Sequence, residues 1–189
     1  MRHAFLSLSA LSVFFVAGLA CSDRPAAELN ATEPADLTAI EIPQSLRAEH
    51  EEIHSTLVEG TRAEGAVGEA ARALAAVLDP HFVREEQIAL PPLGLLSSLA
   101  AGASISDAVQ SQALAMSDSL KAELPGMLQE HVRIRAAVGA LRAAAQSADV
   151  ARYEQFAEEL ALHAQTEEEV LYPAAVLVGD LIRSRRQGR

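Results

Sequence analysis

The chain contains six histidines, and five of them stand at spacings that suit coordination chemistry. His81 is followed four residues later by Glu85, and His163 four residues later by Glu167. Four residues carry a helix through about 400°, so each imidazole and its carboxylate would share one helix face, a turn apart. Iron and other borderline first-row ions accept that mixture of nitrogen and oxygen donors. His50 and His54 form a further pair at the same spacing, and His131 stands alone. Only His3, near the N-terminus, falls outside the pattern.

The spacings repeat. Glu49-His50-x-x-Ile53 matches Glu130-His131-x-x-Ile134, 81 residues further on. His81-x-x-x-Glu85-Glu86, with Pro91 ten residues after the histidine, matches His163-x-x-x-Glu167-Glu168, with Pro173 in the same place, 82 residues further on. Each half reads as a helical hairpin, and two hairpins make an all-α, antiparallel up-down four-helix bundle with one metal-type histidine per helix.

The elements that must position these groups follow from apolar periodicity. Leu46, His50, Ile53 and Leu57 share one face of a first helix beginning near Gln44. A second stretch covers about 66–90, with Pro80 expected to kink or restart it and Pro91-Pro92 to end it. Residues 92–106 form an apolar connection, placed over one end of the bundle. An extended third helix runs from about Ser106 to Ala145, with an interruption predicted at Pro125-Gly126. The fourth starts from a cap at Ser147 or Asp149 and continues to Tyr172, where Pro173 is expected to bend it before a last piece to Arg183. The bundle therefore spans 44–183, followed by a basic tail, 184–189.

Taken in order, Glu49-His50, His81-x-x-x-Glu85-Glu86, Glu130-His131 and His163-x-x-x-Glu167-Glu168-x-x-Leu171-Tyr172-Pro173 resemble the hemerythrin-like (HHE) cation-binding family, over about residues 44–180. The resemblance implies a four-helix bundle holding two iron ions as a non-haem di-iron centre. Its metal ligands would be His50, His81, Glu85, His131, His163 and Glu167, with His54 as the extra histidine. Oxygen-carrying members have their histidine pair on the third helix. Here Arg135 takes that place, and the pair His50/His54 is on the first helix.

The implied function is reversible binding of dioxygen or a related small ligand such as nitric oxide, by a carrier, store or sensor. Two six-coordinate irons offer about twelve positions. Five imidazoles, two bridging carboxylates and a solvent-derived bridge leave one vacant, so His54 decides between carrier-like and oxidase-like behaviour. Two other classes stay open: a di-iron oxidase, peroxidase-like or iron-handling enzyme, and a structural metal module acting through a partner. Ferritin-like oxidases use more glutamates and Glu-x-x-His motifs, which weighs against the first. Neither a nucleophile–base pair nor a phosphate loop argues for hydrolase or transferase chemistry. Glu49 and Glu130 are expected on the surface, and Glu86, Glu168 and Glu169 at the solvent or rim. Phe82 and Tyr172 are expected in the core, Tyr172 within reach of hydrogen-bonding a ligand.

Composition narrows the remaining classes. Half of the 189 residues are hydrophobic but only 4% aromatic, an alanine- and leucine-rich balance that favours helix. A formal charge of −11 argues against a phosphate-backbone binder, so no nucleic-acid partner is expected. One cysteine excludes an internal disulfide framework and any multi-cysteine zinc or iron–sulfur site. That cysteine follows Ala17-Gly18-Leu19-Ala20 at the end of an apolar run from Ala4, which reads as a signal peptide (1–20) with a lipobox. Cys21 would carry the lipid, and residues 21–43, with Pro25, Pro34 and Pro43, would form a flexible tether. The expected location is a bacterial membrane surface facing the periplasm, or the periplasm itself if Cys21 is not acylated, with membrane contact only through the anchor. The arginines at 183, 185, 186 and 189 read as a solvated helix end, with a membrane-surface role as the weaker option.

Overall fold

The computed structural model describes residues 39–188, and every regular element within that span is helical. The expected signal peptide, Cys21 and most of the expected tether lie outside the described residues. Four long helical stretches form a bundle: α1 (Gln44–Thr61), α2 (Gly65–Ile88), α4 (Asp107–Ala148), and a final stretch made of α5 (Ala151–Thr166), a π-helical turn (Glu167–Leu171) and α6 (Tyr172–Gln187). A 3₁₀ turn (Pro91–Leu95) and the short α3 (Leu96–Ala100) connect α2 to α4. Among the described residues no helix is long and apolar enough to cross a membrane.

The core has three parts. At one end Leu57, Leu74, Leu78, Ile134, Leu141, Phe156 and Leu160 interlock. Near the middle Ile88, Leu90, Leu93, Leu120, Met127 and Tyr172 pack together. The far end is closed by Leu95, Leu99, Ile105, Val109, Val178 and Ile182, so the apolar connection does cover one end of the bundle. The last residues of the expected tether also dock here: Ile42 packs on the middle cluster and Ile40 on the far one. Gly179 lets α6 approach α4, since a Cβ there would lie 2.5 Å from that of Ser117, whose hydroxyl donates to the Ala175 carbonyl (2.8 Å). Gly179→Ala is therefore expected to cost about 1–3 kcal/mol through overpacking, measured by urea denaturation.

Neither the restart at Pro80 nor the interruption at Pro125 occurs. α2 is continuous through Pro80 and α4 through Pro125. Each ring is exposed, so the carbonyl that loses its partner can turn to water and the ladder resumes. Asp149 is not an N-cap; it terminates α4 in the left-handed conformation (φ 55°, ψ 45°), which Asp tolerates. Ser147 lies inside α4 and donates to the Ala143 carbonyl (2.9 Å). The basic end is helical to Gln187, and its described arginines have partners: Arg183 pairs with Asp118 and Asp180, Arg185 donates to the Leu99 carbonyl, and Arg186 to Gln110.

Pro173 has the largest effect. It has no N–H to offer the carbonyl of residue 169, and in a regular helix its ring would press on that carbonyl. The chain widens into the π turn instead, and the Tyr172 N–H reaches back five residues to the Glu167 carbonyl.

Candidate metal centre

The four bundle stretches each bring one histidine to the interior. His50 comes from α1, His81 from α2, His131 from α4 and His163 from α5, and all four are buried. Glu85 and Glu167, one turn after His81 and His163, are 0% and 1% exposed. Burying a carboxylate that completely is costly unless cationic or polar partners surround it.

The donor atoms form two groups. His81, His131, Glu85 and Glu167 make one; His50, His163 and Glu167 make the other; within each, one donor atom per residue lies within 4.8 Å of all the rest. The carboxylates are shared. Glu85 turns Oε1 toward His81 Nε2 (3.4 Å) and Oε2 toward His50 Nε2 (3.8 Å). Glu167 turns Oε2 toward His131 Nε2 (3.5 Å) and Oε1 toward His50 and His163 Nε2 (3.6 and 2.8 Å). Neighbouring donors on one ion bound at about 2.1 Å sit roughly 3.0–3.4 Å apart, which these separations approach.

Two observations fit the presence of a cation. Among the described residues, the buried side-chain polar atoms with no hydrogen-bond partner are His50 Nε2, His163 Nε2 and Glu167 Oε1 of the second group, and the Glu85 oxygen Oε2 turned toward His50. His163 Nε2 and Glu167 Oε1 lie 2.8 Å apart without forming a hydrogen bond. In the first group the Nε2 atoms of His81 and His131 approach to 2.8 Å, and two bare lone pairs cannot face each other there without a proton or a cation between them.

Each Nδ1 is held by a carboxylate from another stretch. His50 donates to Glu86 (3.3 Å), His81 to Glu130 (2.8 Å), His131 to Glu168 (2.8 Å) and His163 to Glu49 (3.0 Å). These bonds fix the tautomer that leaves Nε2 facing inward. Every one of these glutamates is the chain neighbour of an interior group: Glu49 of His50, Glu86 of Glu85, Glu130 of His131 and Glu168 of Glu167. Reading them as surface or rim residues missed this role, although the adjacency was visible. Arg135 joins the arrangement by pairing with Glu168. Glu169 bonds only Gln165 on the exposed face (2.8 Å). Removing a carboxylate that orients a metal-binding imidazole costs about 10–100-fold in metal affinity. Glu130→Ala is expected to fall in that range in a chelator-competition titration, with Glu169→Ala unchanged.

Without an ion the charges compete. Burial pulls His81 down, but hydrogen bonding and charge from Glu85, with Glu130, push it up to about 9. Burial likewise opposes, and Glu167 and Glu49 outweigh it, in raising His163 to about 9. His131 is lowered by burial and by its neighbour His81. Burial raises Glu167, but the close imidazoles of His163 and His50, with charge on His163 and His131, hold it at about 2. Glu85 is raised by burial and by the charge on Glu167.

His54 is not brought to the centre. It is exposed, at the rim of a half-open groove of about 330 Å³ with His50, Phe82 and Glu86. The buried positions of α1 are His50, Ile53, Leu57 and Gly60, and four residues past His50 the helix has turned His54 about 80° away from the middle of that face. Phe82 is core, as expected, stacked on the His50 ring at 4.0 Å. Tyr172 is 1% exposed, and its hydroxyl reaches the first group: it donates to Glu85 Oε1 and lies 3.1 Å from His131 Nε2 and 3.4 Å from His81 Nε2. Burial and the charges on Glu85 and Glu167 push this phenol far above the usual range.

The fold and site define a helical bundle whose interior holds a histidine–carboxylate cluster able to bind metal. Residues 123–187 match the family model of the hemerythrin HHE cation binding domain. The match covers 65 of the 189 residues, from the middle of α4 through α6, and contains His131, His163 and Glu167. No curated protein and no solved structure matches the chain.

Proposed function

We propose that the bundle holds two iron ions, one in each donor group, bridged by Glu85 and Glu167, and that the centre binds a small ligand such as dioxygen or nitric oxide reversibly. The observation that carries this reading is the shared use of the two carboxylates, each presenting one oxygen to each group. Two hairpins related by the sequence repeat would generate such a pairing. Iron would supply the reversible electron transfer that ligand binding requires. The protein's part is to orient four imidazoles through their Nδ1 bonds, and to cover the His50 ring with Phe82.

A second reading, oxidation chemistry or peroxide turnover, gains support from the exposure of His54. With four imidazoles rather than five, one more coordination position lacks a protein donor. One experiment separates the two. Protein loaded with iron, reduced without air and then exposed to oxygen should give an oxygenated spectrum that reverses when oxygen is removed. Irreversible oxidation alone would favour the enzyme. Binding zinc to the exclusion of iron would overturn both and leave a structural metal module.

The run 4–20 and Cys21 support a domain lipid-anchored on the periplasmic side of a bacterial membrane. Cys21→Ser should then release the protein into the soluble fraction; unchanged fractionation would remove the anchor from the proposal.

A further inference from the structure

We infer that the Tyr172 phenolate is itself a metal ligand, completing the first donor group on the ion held by His81 and His131. The inference rests on the di-iron reading above and concerns only this corner of it. Tyr172 Oη contacts three donor atoms at once: it bonds Glu85 Oε1 and lies 3.1 Å from His131 Nε2 and 3.4 Å from His81 Nε2, while those two nitrogens are 2.8 Å apart. A hydroxyl supporting one ligand from outside approaches one atom. A hydroxyl in contact with three donors at once is placed to occupy another corner of the same polyhedron.

The backbone brings it there. In a regular helix Tyr172 would sit about 140° around the axis from Glu167. The π turn, in which the Tyr172 N–H bonds the Glu167 carbonyl five residues back, stacks the two on one face. π turns of this kind are frequent at functional sites. The other half has a counterpart that ends differently. The Leu90 N–H also bonds the carbonyl five residues back, that of Glu85 (3.0 Å), and Pro91 follows as Pro173 follows Tyr172. The matching side chain is then leucine, which offers no donor atom. The two ions become unequal: two imidazoles, two carboxylate oxygens and a phenolate on one, and two imidazoles and two carboxylate oxygens on the other.

With a solvent-derived bridge, about eleven of roughly twelve positions are filled. The vacancy would lie on the ion held by His50 and His163. Tyr172 thus fills the place that the sequence reading gave to His54. Coordination displaces the phenolic proton to solvent and needs no electron transfer.

The test uses full-length protein loaded with ferrous iron and then oxidised. Iron per chain is counted first, so that failure of the di-iron reading shows as a chain that takes up no iron. The loaded ferric protein should show a phenolate-to-iron charge-transfer band in the visible, and Raman excitation within it should enhance tyrosine ring modes. Those modes should shift when the protein is grown on ring-deuterated tyrosine, a measurement that needs no variant. The other tyrosine, Tyr153, packs against Gly60 in the apolar cluster away from the donors, so Tyr153→Phe should keep the band. Tyr172→Phe keeps the packing volume and should lose the band completely, with iron still bound. An iron-loaded wild type without enhanced tyrosine modes, or with a spectrum identical to that of Tyr172→Phe, overturns the inference and leaves Tyr172 as a hydrogen-bond donor to Glu85.

Discussion

Glu167→Ala is expected to empty both donor groups at once. Metal content should fall from about two ions per chain to less than half an ion after desalting, measured by elemental analysis. Glu167 is the residue common to both groups, and each oxygen serves a different one. Losing it takes one oxygen donor from each group and leaves four inward imidazole nitrogens with one carboxylate, Glu85, to balance any bound cation. His131→Ala should act on one group and retain part of the metal. His54→Ala should retain all of it, since His54 lies outside both groups. Equal metal content in Glu167→Ala and wild type would show that Glu167 binds no ion.

Stripping the metal should reverse how stability responds to pH. In the metal-free fold His81 and His163 keep their protons up to about 9, against 6.5 for an ordinary histidine. Their contribution to stability is complete below 6.5 and is lost as pH rises through 9. Glu167, held at about 2 against 4.5, contributes above 4.5 and loses that contribution as pH falls toward 2. These three groups favour the metal-free fold most between about pH 4.5 and 6.5, against the opposing pull of raised Glu85 and lowered His131. Metal binding requires neutral imidazoles and releases their protons, so affinity rises through the window in which the metal-free form weakens. At free metal about 1,000 times the dissociation constant, the gain is roughly 4 kcal/mol, or about 8–16 °C in melting temperature. The gap between loaded and stripped protein should widen from pH 6 to pH 9 in thermal scans. A gap that narrows, or none at all, would mean that the histidines do not exchange protons for metal.

The sequence made the ligand spacing legible because helical periodicity carries it: His81 and Glu85, or His163 and Glu167, face one way in any regular helix. What it hid was whatever depended on orientation or on a break in that period. Pro80 and Pro125 read as breaks, yet both rings face solvent and the helices continue. His54 shares a spacing with His50 but not a face with the core. Tyr172 could not be placed by α-helical counting, because the π turn before Pro173 changes its direction. Glu49, Glu86, Glu130 and Glu168 looked like ordinary surface charges because their partners come from other helices, 36 to 114 residues away.

The hydrogen bonds behind the histidines also bear on how the chain emerges during synthesis. The first hairpin can brace His50 from within, through Glu86, but His81 has no brace until Glu130 arrives on α4. His131 then waits for Glu168, in the turn that follows α5. The last bond joins Glu49, among the earliest residues of the bundle, to His163, 114 positions later. Each helix thus depends on a later one until the final stretch returns to the first. Nascent chains that stop short present inward histidines without their orienting partners, and the finished centre belongs only to the complete bundle.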